Sequence, residues 1–404
     1  MTEILRGVRV LEVAEHTFVP AASALLADWG AEVIKIEHVE RGDAMRGLAS
    51  TGVAQISSDV HVLLEHANRG KKSLALDLAQ PEGVEVLYKL AAISDVFITN
   101  KLPSVRSKLR IGIDEIRAHN QNIIYVRGTG QGERGPDADK GSYDNLAFWN
   151  RSGVALGVMR PGDEHVPGPP GPAFGDSIGA MTIAGGVMGA LFHRERTGEA
   201  TTVDISLLST AMWSHGSAIA MSLLNNTPWA IPPGAVRRNP LTGNYKTADG
   251  RWLAFTCLQA GKYWPDLAAV IDRPELATDA RFADHVSLLE NSTYAMKILG
   301  EVFAAQPLAY WREKLSTFSG QWTVVQDTLE AAADPQSVAN GYIQECETAT
   351  GVKFKLAAAP VQYNEEPPRP QRAPLFNEHG DEILGQIGYD TEGIIDLKVR
   401  GVVA

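Results

Sequence analysis

The chain reads as an α/β protein: a large Rossmann-like domain built on a parallel sheet, together with a smaller α+β domain. Three observations predict this. Short β-branched runs alternate with helical patterns along the N-terminal third, which is the signature of a parallel sheet wrapped by helices. Each run is apolar without polar alternation, as a strand covered on both faces requires. Finally, 404 residues at 44% hydrophobic content exceed what one core usually supports, so two domains are expected.

In order along the chain, residues 8–13 read as the first strand, 21–29 as a helix and 32–37 as the second strand. Residues 84–93 follow as a helix, 95–99 as a strand, 105–119 as a helix and 123–126 as a strand. A long helical block runs from 178 to about 196, where Thr197-Gly198 supplies a C-cap. Residues 203–206 then form a strand leading into a helix over 207–224.

The stretch from Asn225-Asn226-Thr227-Pro228 through Pro232-Pro233-Gly234 to Asn239-Pro240 is dense in turn formers and reads as a hinge. Beyond it, Ala248-Asp249-Gly250 between Tyr245-Lys246-Thr247 and Trp252-Leu253-Ala254-Phe255 predicts a β-hairpin, and helices follow to about residue 330. A last region holds an extended run at 352–356, the prolines of Pro367-Pro368-Arg369-Pro370, and amphipathic helices over 381–387 and 391–400. The expected division is a large domain over 1–224, a small domain over 225–330 and a return segment over 331–404 that completes the large domain.

The formal charge of −11 argues against a nucleic-acid partner or an anionic membrane, so any site for a small polyanion must be a local concentration of cations. Cys257 and Cys346 are far apart and lack CxxC spacing, and the ten histidines show no HxxxH or HExxH pattern. Neither a disulfide framework nor a metal site is therefore expected. The N-terminus has no signal pattern, and residues 178–192 are too short and too rich in Gly and Ala to span a bilayer, which predicts a cytoplasmic protein.

Asp176 stands out within Phe174-Gly175-Asp176-Ser177-Ile178-Gly179. It is a lone carboxylate between glycines, just before the uncharged run from Ser177 to Phe192. At a helix start the macrodipole would hold it ionised, and the glycines would let a substrate approach the backbone. The alternative reading is a helix cap. His16 lies after the first strand, where α/β crevices form. Basic residues gather at Asn68-Arg69-Gly70-Lys71-Lys72 and from Lys101 through Arg106, Lys108 and Arg110, as candidate phosphate contacts. Phe148, Trp149, Met159, Trp213 and Met221 could line an apolar pocket. Gly130-Gln131-Gly132-Glu133-Arg134-Gly135 matches GxGxxG, but Pro136-Asp137-Ala138-Asp139 after it cannot readily open the helix that a dinucleotide site needs. No GxSxG elbow is present for a serine hydrolase.

An ordered set of segments resembles the class III CoA-transferase family, the CaiB/BaiF group. They are Leu25-Leu26-Ala27-Asp28-Trp29-Gly30-Ala31-Glu32-Val33-Ile34-Lys35-Ile36-Glu37 with Gly42-Asp43 and Arg46; Asn68-Arg69-Gly70-Lys71-Lys72-Ser73; Tyr143-Asp144; Gly175-Asp176 with Gly179; and Arg196-Thr197-Gly198 followed by Val203-Asp204-Ile205-Ser206. Later matches are Thr247-Ala248-Asp249-Gly250, Ala280-Arg281-Phe282-Ala283, Asp334-Pro335-Gln336 and Glu378-His379.

The resemblance implies an interlocked homodimer and an enzyme that moves CoA between an acyl-CoA and a free carboxylic acid. CoA would be a cosubstrate, with no tightly bound cofactor. It implies Asp176 as the nucleophile, through a mixed anhydride and an enzyme thioester. It also implies Lys108 and Leu109 near the CoA nucleotide, Asn100 at the start of the same loop, and Arg46 and Arg69, with Lys72 of the same cluster, near phosphate or ribose. Lys140 is a further match, His16 faces the site, and Tyr143 faces the acyl group. The sequence departs from the family at Phe18-Val19-Pro20, at Lys101 in place of an aromatic, and at 239–244 in place of a polyglycine loop.

Two other activities fit the same fold. An α-methylacyl-CoA racemase would need Gly-His-Asp where this chain has Ser142-Tyr143-Asp144, and a tyrosine with an ordinary pKa near 10 is a poor base for an α-proton. A non-catalytic acyl-CoA-binding protein would have no use for Asp176.

Overall fold

The computed structural model describes residues 3–51, 59–231 and 239–404. The chain divides into a large unit, Met1–Ile231 with Pro335–Ala404, and a small unit, Pro232–Asp334. Residues 232–238, the middle of the turn-rich stretch, lie outside the described residues.

The large unit is built on a six-stranded, all-parallel sheet. Its elements are β1 (Arg9–Val13), α1 (Phe18–Asp28), β2 (Glu32–Glu37), α2 (Val62–Asn68), β3 (Lys72–Ala75), α3 (Pro81–Ala92), β4 (Val96–Thr99), α4 (Pro103–Leu109), α5 (Ile113–His119), β5 (Ile124–Thr129), α6 (Val154–Val158), α7 (Phe174–Thr197), β6 (Thr202–Ser206), α8 (Leu207–Ser214) and α9 (Gly216–Asn225). The strand order β3-β2-β1-β4-β5-β6 is the doubly wound arrangement expected from the alternating pattern. Neighbouring residues of each strand feed opposite cores. Val10, Val33, Val96 and Val126 pack with α1 and α7 on one face, while Leu11, Ile34, Phe97 and Tyr125 pack with α3, α5 and the C-terminal helices on the other. This is why the strands read as unbroken apolar runs.

Buried charges in β1 and β2 interrupt that pattern. Glu12, fully buried in β1, accepts from Lys35 Nζ at 2.7 Å and Lys71 Nζ at 2.6 Å, and Lys35 also reaches Asp43 at 2.7 Å. Two cations offset two carboxylates, so no charge is left buried alone.

Several elements differ from the sequence expectation. β3 was not anticipated, because a four-residue edge strand opening Lys72-Ser73 carries little apolar signal. The expected helix over 105–119 is two helices, broken where Arg110 takes the left-handed conformation (φ 55°). The expected helix over 207–224 breaks at His215, before Gly216. Helix α7 begins at Phe174 rather than 178 and is long and apolar enough to cross a membrane. Ala180, Ile183, Ala184 and Val187 along it are buried in the core shared with α1.

The small unit holds β7 (Thr242–Lys246) and β8 (Trp252–Thr256), paired antiparallel about the left-handed Gly250 (φ 79°), with β9 (Trp322–Val324) added at β8. Helices cover this sheet, and Phe255, Trp264, Phe303 and Trp311 fill its own core. From Pro335 the chain rejoins the large unit, where Val403 bridges to Leu76 and the Gly70 N–H donates to Arg372 at 3.0 Å.

Candidate active site

In a doubly wound sheet, ligands bind beyond the carboxyl ends of the strands, where the strand order reverses. Here that point lies between β1 and β4, and the loops that leave them, with the end of β5, form a cavity of about 430 Å³. His16 follows β1, Asn100 follows β4, Gly128 to Gly130 end β5, and Tyr143 and Asp176 complete the lining. A second cleft of about 290 Å³ extends over the ends of β2 and β3, where Lys108 and Leu109 of α4 face Leu76 to Ala79. Glu15, Arg41, Lys101 and Val105 line both. A wider hollow of about 710 Å³, at Cys346 and Arg372, is lined by none of these residues.

Asp176 is the third residue of α7 and not its cap, a position that Ala173 takes with φ 56°. The neighbouring glycines serve packing rather than substrate approach. A Cβ on Gly175 would stand 2.5 Å from the Phe148 ring, and one on Gly179 would stand 2.3 Å from the Phe18 ring. The helix start is thereby pressed against two aromatics, which fixes where Asp176 emerges. Burial, reinforced by the Asp144 carboxylate, pushes Asp176 up to about 7, against the expectation that the helix dipole keeps it a strong acid. A desolvated carboxylate loses more by leaving water than one helix end returns.

The β1–α1 loop is held from three sides. Asn100 donates to the Glu15 carbonyl at 2.7 Å and accepts from the Glu15 N–H at 3.2 Å; Asp43 accepts from the His16 N–H at 3.0 Å; and Lys35 donates to the Ala14 carbonyl at 2.8 Å. His16 adopts φ 67°, uncommon for a residue other than glycine. Its ring stands edge-on to Tyr143, centroids 5.5 Å apart, and Tyr143 is 61% exposed.

Of the residues singled out from sequence, His16, Asn100, Tyr143 and Asp176 thus share one cavity, and Lys108 and Leu109 share the adjoining cleft. The others lie elsewhere. Arg46 forms a bidentate pair with Glu37 at 2.7 Å, and Arg69 is buried against Asp28 at 2.8 Å. Lys72 bridges Glu32 and Glu382, and Lys140 is exposed and outside both clefts. Arg106 is clamped by Glu133 of the glycine-containing loop at 2.6 and 2.9 Å. None of Phe148, Trp149, Met159, Trp213 or Met221 lines the cavity. Glu15 and Arg41, which sequence patterns do not single out, sit on the loops that leave β1 and β2. Among the described residues, no group of three or more His, Cys, Asp or Glu side chains could hold a metal ion.

The cavity therefore offers one partly buried carboxylate close to its ionisation midpoint at neutral pH, on a wall shared with a tyrosine, a histidine and the cations Arg41 and Lys101. Such a carboxylate can act as a nucleophile or carry a proton.

A family model described as CoA-transferase family III matches residues 5–380. The (R)-2-hydroxy-4-methylpentanoate CoA-transferase of Clostridioides difficile is 31% identical over 402 residues, 99% of both chains. Human succinyl-CoA:glutarate CoA-transferase is 28% identical over 413 residues, 99% of this chain and 90% of its own. Among solved structures, Rv3272 from M. tuberculosis superposes with a TM-score of 0.79 at 25% identity, covering 95% of this chain and 99% of the other. A CAIB/BAIF family protein from Brucella suis gives 0.78 at 24% identity, covering 96% and 100%.

Proposed function

The chain belongs to CoA-transferase family III and is a CoA-transferase, and from that premise we propose that Asp176 carries the transfer covalently. An Asp176 oxygen attacks the thioester carbon of the donor; the C–S bond breaks, and an acyl-aspartyl anhydride and CoA thiolate form. The thiolate then attacks the Asp176 carbonyl, releasing the donor acid and leaving an aspartyl thioester. The acceptor carboxylate attacks that thioester to form a second anhydride. The thiolate finally attacks the acceptor acyl carbon, restoring free Asp176 and yielding the new acyl-CoA. Each step exchanges one acyl bond for another, so no net proton moves and no paired general base is needed.

The observation that carries this reading is the partly buried, poorly solvated Asp176 on the wall of the cavity at the sheet's switch point. Both anhydrides hydrolyse readily, so a site poor in water suits them. In this reading Lys108 and Leu109 line the path of the CoA nucleotide. His16 and Tyr143 face the acyl group, and Asn100 holds the loop that carries His16. The ion pairs of Arg46, Arg69 and Lys72 support a structural role for those three.

The substrates are an acyl-CoA and a free carboxylic acid, and the two relatives suggest 2-hydroxy acids and dicarboxylic acids as the first acceptors to screen. The working form is an interlocked homodimer. Phe192, Trp213, Leu223 and Leu224 of α7 to α9 are 67%, 88%, 78% and 85% exposed, an apolar surface of the kind a second copy would cover.

Hydroxylamine added during turnover, followed by peptide mass mapping, tests the covalent step. An Asp176 hydroxamate is expected. Absence of that modification across a broad acyl-CoA panel, with transfer proceeding, would overturn the proposal.

A further inference from the structure

Glu15 holds an unusual place: it lines both clefts and stands between Arg41 and Lys101, the two cations among the described residues that also line both. Its carboxylate is ion-paired with Lys101, and its other oxygen lies 3.4 Å from Arg41 Nη2. The pair with Lys101 is not a loose surface bridge. Both side chains are 20% exposed, Asn100 holds the Glu15 backbone by its N–H and its carbonyl, and the Lys101 N–H donates to Thr99 Oγ1 at 3.1 Å. The other carboxylates lining the second cleft are engaged elsewhere: Glu37 accepts from Arg46 at 2.7 Å, and Asp77 accepts from the Ala79 N–H at 2.9 Å and from Gln80 at 3.0 Å.

We propose that Arg41 and Lys101 form an oxyanion-binding site at the junction of the two clefts, which Glu15 occupies as a resident counter-ion until a substrate anion displaces it. Two positive charges facing one carboxylate leave a surplus for a ligand that brings more charge than Glu15 supplies. Arg41, 61% exposed, can follow the incoming anion, whereas Lys101 is held from below. The same oxyanion chemistry can come from a phosphate of CoA or from a carboxylate of the acid. The inference rests on the proposal that both substrates reach Asp176 through these clefts.

The test is steady-state kinetics of the full-length enzyme, with KM measured separately for acyl-CoA and for mono- and dicarboxylic acids, in wild type, Glu15→Gln, Lys101→Met and the double variant. Removing the internal competitor lowers the KM of the ligand that supplies the oxyanion by about threefold, as expected for a partly screened ion pair. A fall confined to acyl-CoA identifies a phosphate, and one confined to dicarboxylic acids identifies a carboxylate. Lys101→Met raises the same KM, and in the double variant the gain from Glu15→Gln disappears. Unchanged or raised KM values in Glu15→Gln overturn the inference. Should that variant fold poorly, an unchanged pair of KM values in Lys101→Met does so equally. Hydroxylamine labelling of Asp176 in wild type is a separate readout, so failure of the covalent reading is distinguishable from failure of the anion site.

Discussion

Asp144 Oδ2 accepts a hydrogen bond from the Gly175 N–H at 3.3 Å, which sets a second carboxylate one residue from Asp176. The two acids are not equivalent. Asp144 has a backbone donor, whereas Asp176 is held up to about 7 by burial and then by the Asp144 charge. A like charge and poor solvation disfavour the ionised form of Asp176, and they disfavour it equally against any neutral form. Acylation neutralises the carboxylate as protonation does, so the same environment that raises the pKa favours the anhydride and the thioester.

The first prediction concerns pH. Attack requires ionised Asp176, so kcat/KM should rise with pH and reach half its plateau near 7. Asp144→Asn removes the repulsion and should move that midpoint down, while burial keeps it above the ordinary carboxylate range. Initial rates between pH 5 and 9 for both proteins check this, and an unmoved midpoint would remove Asp144 from the account.

Stability should carry the opposite trend. The folded pKa of Asp176 lies above its unfolded value, so its contribution is fully present below about pH 4 and is lost as pH rises through about 7. Relative to Asp176→Asn, which has no such proton, wild type should lose up to about 4 kcal/mol across that window. Urea melts of the two proteins at pH 4.5 and pH 8 read the difference. At pH 8, Asp176→Asn should be the more stable protein and should have lost at least about 10³-fold in kcat.

Gly179→Ala runs against helix propensity. Alanine ordinarily stabilises a helix interior by about 1 kcal/mol over glycine. Here the added methyl meets the Phe18 ring at 2.3 Å, so the expected outcome is destabilisation by about 1–3 kcal/mol with loss of turnover as the start of α7 shifts. Thermal denaturation with a kcat measurement checks it, and a rise in Tm would show that the contact relaxes freely.

Lys35→Met should be severe. It strips Glu12 and Asp43 of a shared partner while both remain buried, at a cost of about 3–5 kcal/mol. Because Asp43 also holds the His16 N–H, any folded fraction should show an altered KM for acyl-CoA.

The amino-acid sequence alone determined the layered fold and singled out Asp176. Unbroken apolar strands alternating with helices permit little other than a covered parallel sheet, and a lone acid between glycines before a long apolar helix is visible without coordinates. Tertiary structure decided which charges are spent and which are left to meet a ligand. Arg69 and Lys72 read as phosphate contacts in one dimension and the family resemblance adds Arg46, yet each finds its carboxylate on another strand or helix, while Arg41 and Lys101 come together from loops 60 residues apart in number because β1, β2 and β4 are neighbours in the sheet. The glycines beside Asp176 likewise took their meaning from Phe18 and Phe148, and its pKa from burial that no local pattern encodes. Ion pairing and desolvation depend on distance through space, and only the folded chain sets that distance.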